Sequence, residues 1–134
     1  MDEGAVDGKT KILVVDDEEA ILFALSRTLG GPGISVETAS TPDEAGEKLS
    51  GRDGYAAVIL DLRLSGSEEM EGLDILHRVK TEHPNTRAIV VTAYANQHMR
   101  ERVFAEHADF CLEKPVSGQQ LRQVLWSLGV YESG

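Results

Sequence analysis

Cysteine is almost absent from this chain: Cys111 stands alone among 134 residues. An internal disulfide is therefore excluded, and the composition fits a reducing compartment. Cations are also few, 13 Lys and Arg against 23 Asp and Glu, for a formal net charge of −10. That balance argues against the domain gripping nucleic acid directly, because phosphate binding needs a basic footprint. It suits a basic partner or a divalent cation. No apolar run approaches the roughly 20 residues of a membrane span. The first eight residues, Met-Asp-Glu-Gly-Ala-Val-Asp-Gly, have neither the basic start nor the apolar stretch of a secretory signal. The chain is read as cytoplasmic and without membrane contact. His77, His83, His98 and His107 show no ligand spacing, so no transition-metal site is assigned. Internal repeats and low-complexity stretches are missing.

What is present is a regular alternation of strand-like and helix-like segments. The length suits one domain with a proper core. Residues 1–10 read as a polar lead-in, 11–130 as the domain and 131–134 as a tail. Lys11 to Val15 is a continuously apolar, β-branched run, as expected of a strand buried on both faces. Ile21, Leu22, Leu25 and Leu29 recur at helical spacing, and Gly30-Gly31-Pro32-Gly33 stops that helix. Ile34 to Thr38 reads as a second strand. Thr41-Pro42-Asp43-Glu44 opens a second helix with Thr as cap, Pro at the first position and Glu three residues after the cap. A third strand ends at Asp61 and is followed by a polar loop, Ser65 to Glu71. Leu73, Leu76 and Val79 mark a third helix. Ala88 to Thr92 is a fourth strand, Asn96 to Glu106 a fourth helix and Asp109 to Leu112 a fifth strand. The last helix carries Leu121, Val124, Leu125 and Leu128 on one face. Five such alternations predict an α/β domain, a doubly wound parallel sheet with helices on both faces.

In open sheets of this kind, sites lie beyond the carboxyl ends of the strands. Asp16 and Asp17 follow the first strand, Asp61 the third, Thr92 the fourth and Lys114 the fifth. Three carboxylates gathered at one rim repel one another unless a cation joins them. Read singly, each residue has a plainer explanation. Asp16 to Glu19 suit a helix N-terminus, Asp61 could cap a loop, and Lys114-Pro115 could be a turn.

Together these residues resemble the receiver domain of bacterial two-component response regulators. The matching pieces are Val14-Val15-Asp16-Asp17-Glu18, Val58-Ile59-Leu60-Asp61-Leu62, Val90-Val91-Thr92-Ala93 and Leu112-Glu113-Lys114-Pro115. The resemblance covers about Lys11 to Leu128. It implies a flavodoxin-like five-stranded parallel sheet in order 2-1-3-4-5 with five helices, and a cis peptide bond before Pro115. It also implies a phosphoacceptor switch in which Asp61 takes a phosphoryl group from the phosphohistidine of a sensor kinase or phosphotransfer protein. Mg²⁺ would be held by Asp17 and Asp61, by Asp16 mostly through water, and by the main-chain carbonyl of Arg63. Lys114 and Thr92 would meet the phosphoryl oxygens. Catalysis would be confined to the domain's own phosphotransfer and autodephosphorylation. The fourth helix, fifth strand and fifth helix would form the output face and a possible homodimer contact.

Three features depart from the family pattern or lie outside it. Cys111 stands where the family has Tyr or Phe, and Phe110 beside it should point to the opposite face. Tyr94, two residues after Thr92, is the candidate substitute readout. The Ser65 to Glu71 stretch is an acidic insertion beside the acceptor and is expected to be a mobile loop. Trp126 falls off the apolar face of the last helix, which makes it a candidate partner contact; the plain alternative is a ring laid flat over the core edge.

Other classes fit less well. A haloacid-dehalogenase-type phosphatase needs an Asp two positions after its nucleophile, where this chain has Arg63. A flavodoxin-type cofactor loop would need phosphate donors where Asp16-Asp17-Glu18-Glu19 would repel phosphate. A pseudo-receiver that binds a partner without phosphorylation is the alternative reading. No linker or helix-turn-helix is seen after Gly129, so direct DNA control by this stretch is not expected. The chain is read either as a stand-alone switch that binds an output partner or as one module of a longer protein.

Overall fold

A computed structural model describes residues 10–51, 54–62, 67–93 and 95–131, with 67–70 described by backbone alone. The strands are β1 (Thr10–Val15), β2 (Ile34–Ala39), β3 (Ala57–Leu62), β4 (Arg87–Thr92) and β5 (Phe110–Glu113). The helices are α1 (Glu19–Leu29), α2 (Pro42–Leu49), α3 (Ser67–Glu82), α4 (Gln97–Ala105) and α5 (Gly118–Ser127). All pairs are parallel and the sheet order is β2-β1-β3-β4-β5. The chain starts one strand in from an edge, steps out to that edge with β2, returns past β1 to β3 and works to the other edge. The strand order reverses between β1 and β3, and the ends of these two strands frame the site.

Each central strand divides its side chains between two cores. Leu13, Val15, Val58, Leu60, Leu62 and Val90 pack on one face with Leu49, Leu73, Leu76, Val79, Met99 and Val103 of α2, α3 and α4. Ile12, Val14, Ile59, Ile89 and Val91 pack on the other with Leu22, Leu29, Leu121, Val124 and Leu125 of α1 and α5. Strands buried on both faces lose the polar alternation of a half-exposed strand, which is why they read as unbroken apolar runs.

The helix starts are chemically fixed. The Thr41 hydroxyl accepts from Glu44 N at 3.0 Å, with Pro42 in the first turn, and Glu44 Oε1 accepts from Ser40 N at 2.7 Å. Asn96 caps α4 through Met99 N. Ser117 and Gln120 exchange reciprocal bonds at the start of α5. Gly33 lies at φ 79°, in a turn before β2 that disfavours any side chain.

Several expectations need correction. β3 runs through Asp61 to Leu62, because Leu62 still pairs with Thr92 and buries its side chain. The expected loop from Ser65 to Glu71 is helical from Ser67 onward; Ser-Glu-Glu ahead of Met70 is a favourable helix start, while 65–66 lie outside the described residues. Ile21, expected on the core face, is exposed. Thr10, placed in the lead-in, pairs with Ile34. Tyr131, placed in the tail, is buried, and its hydroxyl donates to the Leu29 carbonyl at 3.1 Å.

Candidate functional site

β1 delivers its carboxylates at the point where the chain turns toward α1. Asp16 N donates to the Ala39 carbonyl at 3.0 Å, which extends the β1–β2 pairing by one residue. Asp16 Oδ1 then accepts from Glu18 N at 2.9 Å, folding the turn back on itself. The Asp16 side chain is 5% exposed and that of Asp61, one strand away, is 6% exposed. Glu18 occupies the cap position of α1 but makes no side-chain cap bond, and Glu19 lies in the first turn, where its charge suits the helix N-terminus.

The cation comes from the end of β5. Lys114 Nζ lies 3.0 Å from Asp61 Oδ1 and 4.0 Å from Asp16 Oδ2. Lys114 N donates to the Thr92 carbonyl at 2.8 Å, which ties the two strand ends together, and the following bond to Pro115 is cis. Thr92 is fully buried. One ammonium thus faces two buried carboxylates. Burial pushes the Asp16 carboxyl up to about 6, and the Asp61 charge adds to that, against the lowering pull of the Glu18 amide and Lys114.

Ligand oxygens of Asp16, Asp17 and Glu18 lie within 4.8 Å of one another. One of these residues is buried and two are exposed, so the cluster opens to solvent. An all-carboxylate donor set of this kind fits a hard cation that keeps several waters, as Mg²⁺ does, and does not suit soft metals. Glu18 was missed as a candidate ligand in the sequence; its proximity depends on the backbone turn that its own N–H makes to Asp16. A cavity of about 250 Å³ opens over the cluster, with Asp16, Asp17, Asp61, Thr41, Glu71 and Gly72 among its walls. A smaller one, about 50 Å³, lies on the Lys114 side and is walled in part by Ile21, Leu25, Asp61 and Lys114. Ile21 therefore lines the site instead of the core.

Asp16, Asp17, Asp61, Thr92 and Lys114 are brought to one end of the sheet. Arg63, proposed from the sequence to offer its carbonyl, and Tyr94, the candidate readout, lie outside the described residues. Cys111 is buried within the core on the α2–α4 face, with burial pushing its thiol up, while Phe110 is exposed. Trp126 is 54% exposed, and its ring centroid stands 6.2 Å from that of Tyr131. The exposed rings of Phe104, Phe110 and Trp126 lie on α4, β5 and α5 respectively.

Residues 12–125 match the family model described as the response regulator receiver domain. The alginate biosynthesis transcriptional regulatory protein AlgB of Pseudomonas putida is 40% identical over 121 residues, 90% of this chain and 26% of that protein. The transcriptional regulatory protein SrrA of Staphylococcus aureus is 33% identical over 111 residues, 83% of this chain and 44% of that protein. The chain thus spans less than half the length of these curated relatives. Among solved structures, a CheY-like response regulator receiver domain protein from Methanospirillum hungatei aligns with a TM-score of 0.77 at 29% identity, covering 90% of this chain and 94% of that one. The BeF3-activated receiver domain of DrrB, a protein of Thermotoga maritima, aligns with a TM-score of 0.76 at 27% identity, covering 90% and 97%.

Proposed function

The chain belongs to the response regulator receiver family of two-component systems, and on that premise we propose that Asp61 is its phosphoacceptor. The observation that carries the assignment is the 3.0 Å contact between Lys114 Nζ and Asp61 Oδ1 at the rim where Asp16 also lies. Lys114 holds Oδ1, which leaves Oδ2 as the attacking oxygen. The P–N bond of a phosphohistidine breaks as the Oδ2–P bond forms, and the imidazole leaves with the electron pair of the broken bond. Lys114 then follows the charge onto a phosphoryl oxygen, and the Thr92 hydroxyl donates to another.

Receiver domains bind Mg²⁺ at an acidic cluster, and here Asp16, Asp17 and Glu18 offer the clustered oxygens. Asp61 and the Arg63 carbonyl complete the proposed set. The metal would supply positive charge where three carboxylates and a phosphoryl group converge. A fold neighbour described as BeF3-activated supports an acyl-phosphate state for this architecture.

The phosphodonor is then a sensor histidine kinase or a phosphotransfer protein, and the site of action is the cytoplasm. None of the described helices is long and apolar enough to cross a membrane. The named relatives are transcriptional regulators, so the switch serves an output domain or partner through α4, β5 and α5, where Trp126 is the proposed contact and a homodimer the proposed assembly. Tyr94 and Cys111 are the proposed readout positions. Autodephosphorylation returns Asp61 to the carboxylate.

The test is incubation with Mg²⁺ and acetyl phosphate, followed by intact mass. A gain of one phosphate that disappears in Asp61→Asn and without Mg²⁺ supports the assignment. No gain under any condition favours the pseudo-receiver.

A further inference from the structure

Arg100 of α4 bonds to two separate parts of the chain, the connection after β4 and the edge strand β5. Its Nε donates to the Ala95 carbonyl at 3.0 Å and its Nη1 to the Cys111 carbonyl at 3.4 Å. Ala95 lies on the connection from Thr92 to α4 and is buried. Its neighbour Asn96 caps α4 by accepting from Met99 N at 2.8 Å. Cys111 sits in β5 opposite Val90, two residues before Thr92. The guanidinium is close enough to Cys111 to oppose the upward push that burial exerts on its thiol. One rigid, permanently charged fork therefore spans the β4–α4 connection and the edge strand. It does so at the strand position where the expected aromatic ring is replaced by Cys111. A planar fork holding two carbonyls cannot follow both when they separate, and bonds from a charged donor are stronger than neutral ones.

We propose that Arg100 is a positioning residue of the switch, clasping the connection after Thr92 to β5 while Asp61 is a free carboxylate paired with Lys114. This rests on the phosphoacceptor reading above. When a phosphoryl oxygen draws the Thr92 hydroxyl toward it, the backbone leading to Ala95 shifts relative to β5 and one of the two Arg100 bonds breaks. The edge strand then has an unpaired Cys111 carbonyl or a released Arg100 side chain, either of which alters the α4–β5 surface. Such a device carries the signal without an aromatic rotamer. An interaction made in only one of two states biases the equilibrium toward that state, so removing it favours the other.

The test is calorimetric titration of the full chain, first with Mg²⁺ and then with beryllofluoride in saturating Mg²⁺. Arg100→Ala is expected to bind beryllofluoride about fivefold more tightly, the factor that one ordinary hydrogen bond is worth, with Mg²⁺ affinity unchanged. Arg100→Lys, which can serve one carbonyl but not two in fixed geometry, should fall between Arg100→Ala and wild type. Equal beryllofluoride affinity in all three proteins, or weaker binding by a variant that melts normally, overturns the clasp. A parallel change in Mg²⁺ affinity marks general distortion of the site and overturns it as well. Failure of the wild type to bind beryllofluoride overturns the phosphoacceptor reading, and the clasp falls with it.

Discussion

The Lys114 ammonium stands 3.0 Å from Oδ1 of the buried Asp61 carboxylate. It also faces Asp16 Oδ2 at 4.0 Å, so one cation serves two carboxylates. Removing it leaves both without their lysine, and breaking a buried pair costs more than its net worth because the surviving charge is stranded. Lys114→Ala is expected to lose about 1–3 kcal/mol of stability at pH 7 without divalent cation. The loss should shrink at pH 5, where Asp16 takes up a proton, and on adding Mg²⁺. Its phosphorylation by acetyl phosphate should slow by at least about tenfold, since a fixed cation at the transferring oxygens is missing. Denaturant melts at the two pH values, with and without Mg²⁺, check the stability pattern. A loss independent of pH and Mg²⁺ would mean that Lys114 acts through packing alone.

Asp16 has the opposite pH logic to an ordinary paired carboxylate. Its carboxyl, buried and beside the Asp61 charge, is pushed up from 3.8 to about 6. In the metal-free protein the folded state therefore binds this proton more tightly than the unfolded chain. The associated stability is fully present below pH 3.8 and is lost as pH rises through about 6. The gap corresponds to roughly 3 kcal/mol as an upper bound. Asp16→Asn should raise the melting temperature at pH 7 without Mg²⁺ and leave it nearly unchanged at pH 4. Because the metal competes with that proton, wild-type Mg²⁺ affinity should weaken as pH falls below about 6. A melting temperature for Asp16→Asn at or below wild type at pH 7 would contradict the assignment.

Much of the fold was legible because a parallel sheet covered on both faces writes its strands as apolar runs, and Ile12 to Val15 or Ile89 to Val91 admit little else. The ends were less legible, since pairing decides them: Leu62 stays in β3 because Thr92 is its partner. Helical spacing identified the core stripe of α5 and set Trp126 off it. In α1 the same spacing placed Ile21 with the core, but spacing says nothing of what lies above a helix's first turn, and there Ile21 meets the cavity beside Lys114. At the site, the carboxylates, Thr92 and Lys114 were readable as strand-end residues. Glu18 was not, because a backbone turn places it, and Arg100 was not, because its partners are carbonyls that every residue has.

Far from the site, Asp109 closes the opposite end of the β4–β5 pair. It accepts from Lys80 Nζ at 2.9 Å, Ala88 N at 2.8 Å and Arg87 Nη1 at 3.3 Å. Burial would raise its carboxyl, but the Ala88 amide and the Lys80 and Arg87 charges outweigh that and hold it below the usual value of 3.8. The stability it contributes is therefore present above pH 3.8 and is lost as pH falls through its lowered value. Asp109→Asn is expected to cost about 2 kcal/mol at pH 7, and the two proteins should converge in strong acid. Urea midpoints from pH 7 down to pH 2.5 measure it. A difference that persists at the acid end would show that shape, not charge, is what Asp109 supplies.

Gly72 of α3 lies against Leu62 of β3, one residue from the proposed acceptor Asp61. A Cβ at Gly72 would overlap Leu62 Cδ1, and Leu62 is buried and paired beside Thr92. Gly72→Ala must therefore push the start of α3 or turn Leu62 off its rotamer, at about 1–3 kcal/mol, more than the roughly 1 kcal/mol of helix propensity gained. Leu62→Ala alone leaves a cavity and is expected to cost about 2–5 kcal/mol. In combination the new methyl enters the space that Leu62 vacates, so the double variant should be more stable than Leu62→Ala alone. The coupling energy from urea melts of the four proteins should exceed about 1 kcal/mol, well outside the scatter of independent sites. Because Glu71 and Gly72 also wall the cavity over Asp61, the same shift should slow acetyl phosphate labelling in Gly72→Ala. Leu62→Ala in the same chain should restore it. Additive stabilities with unaltered labelling would show that α3 yields freely and does not set the geometry around Asp61.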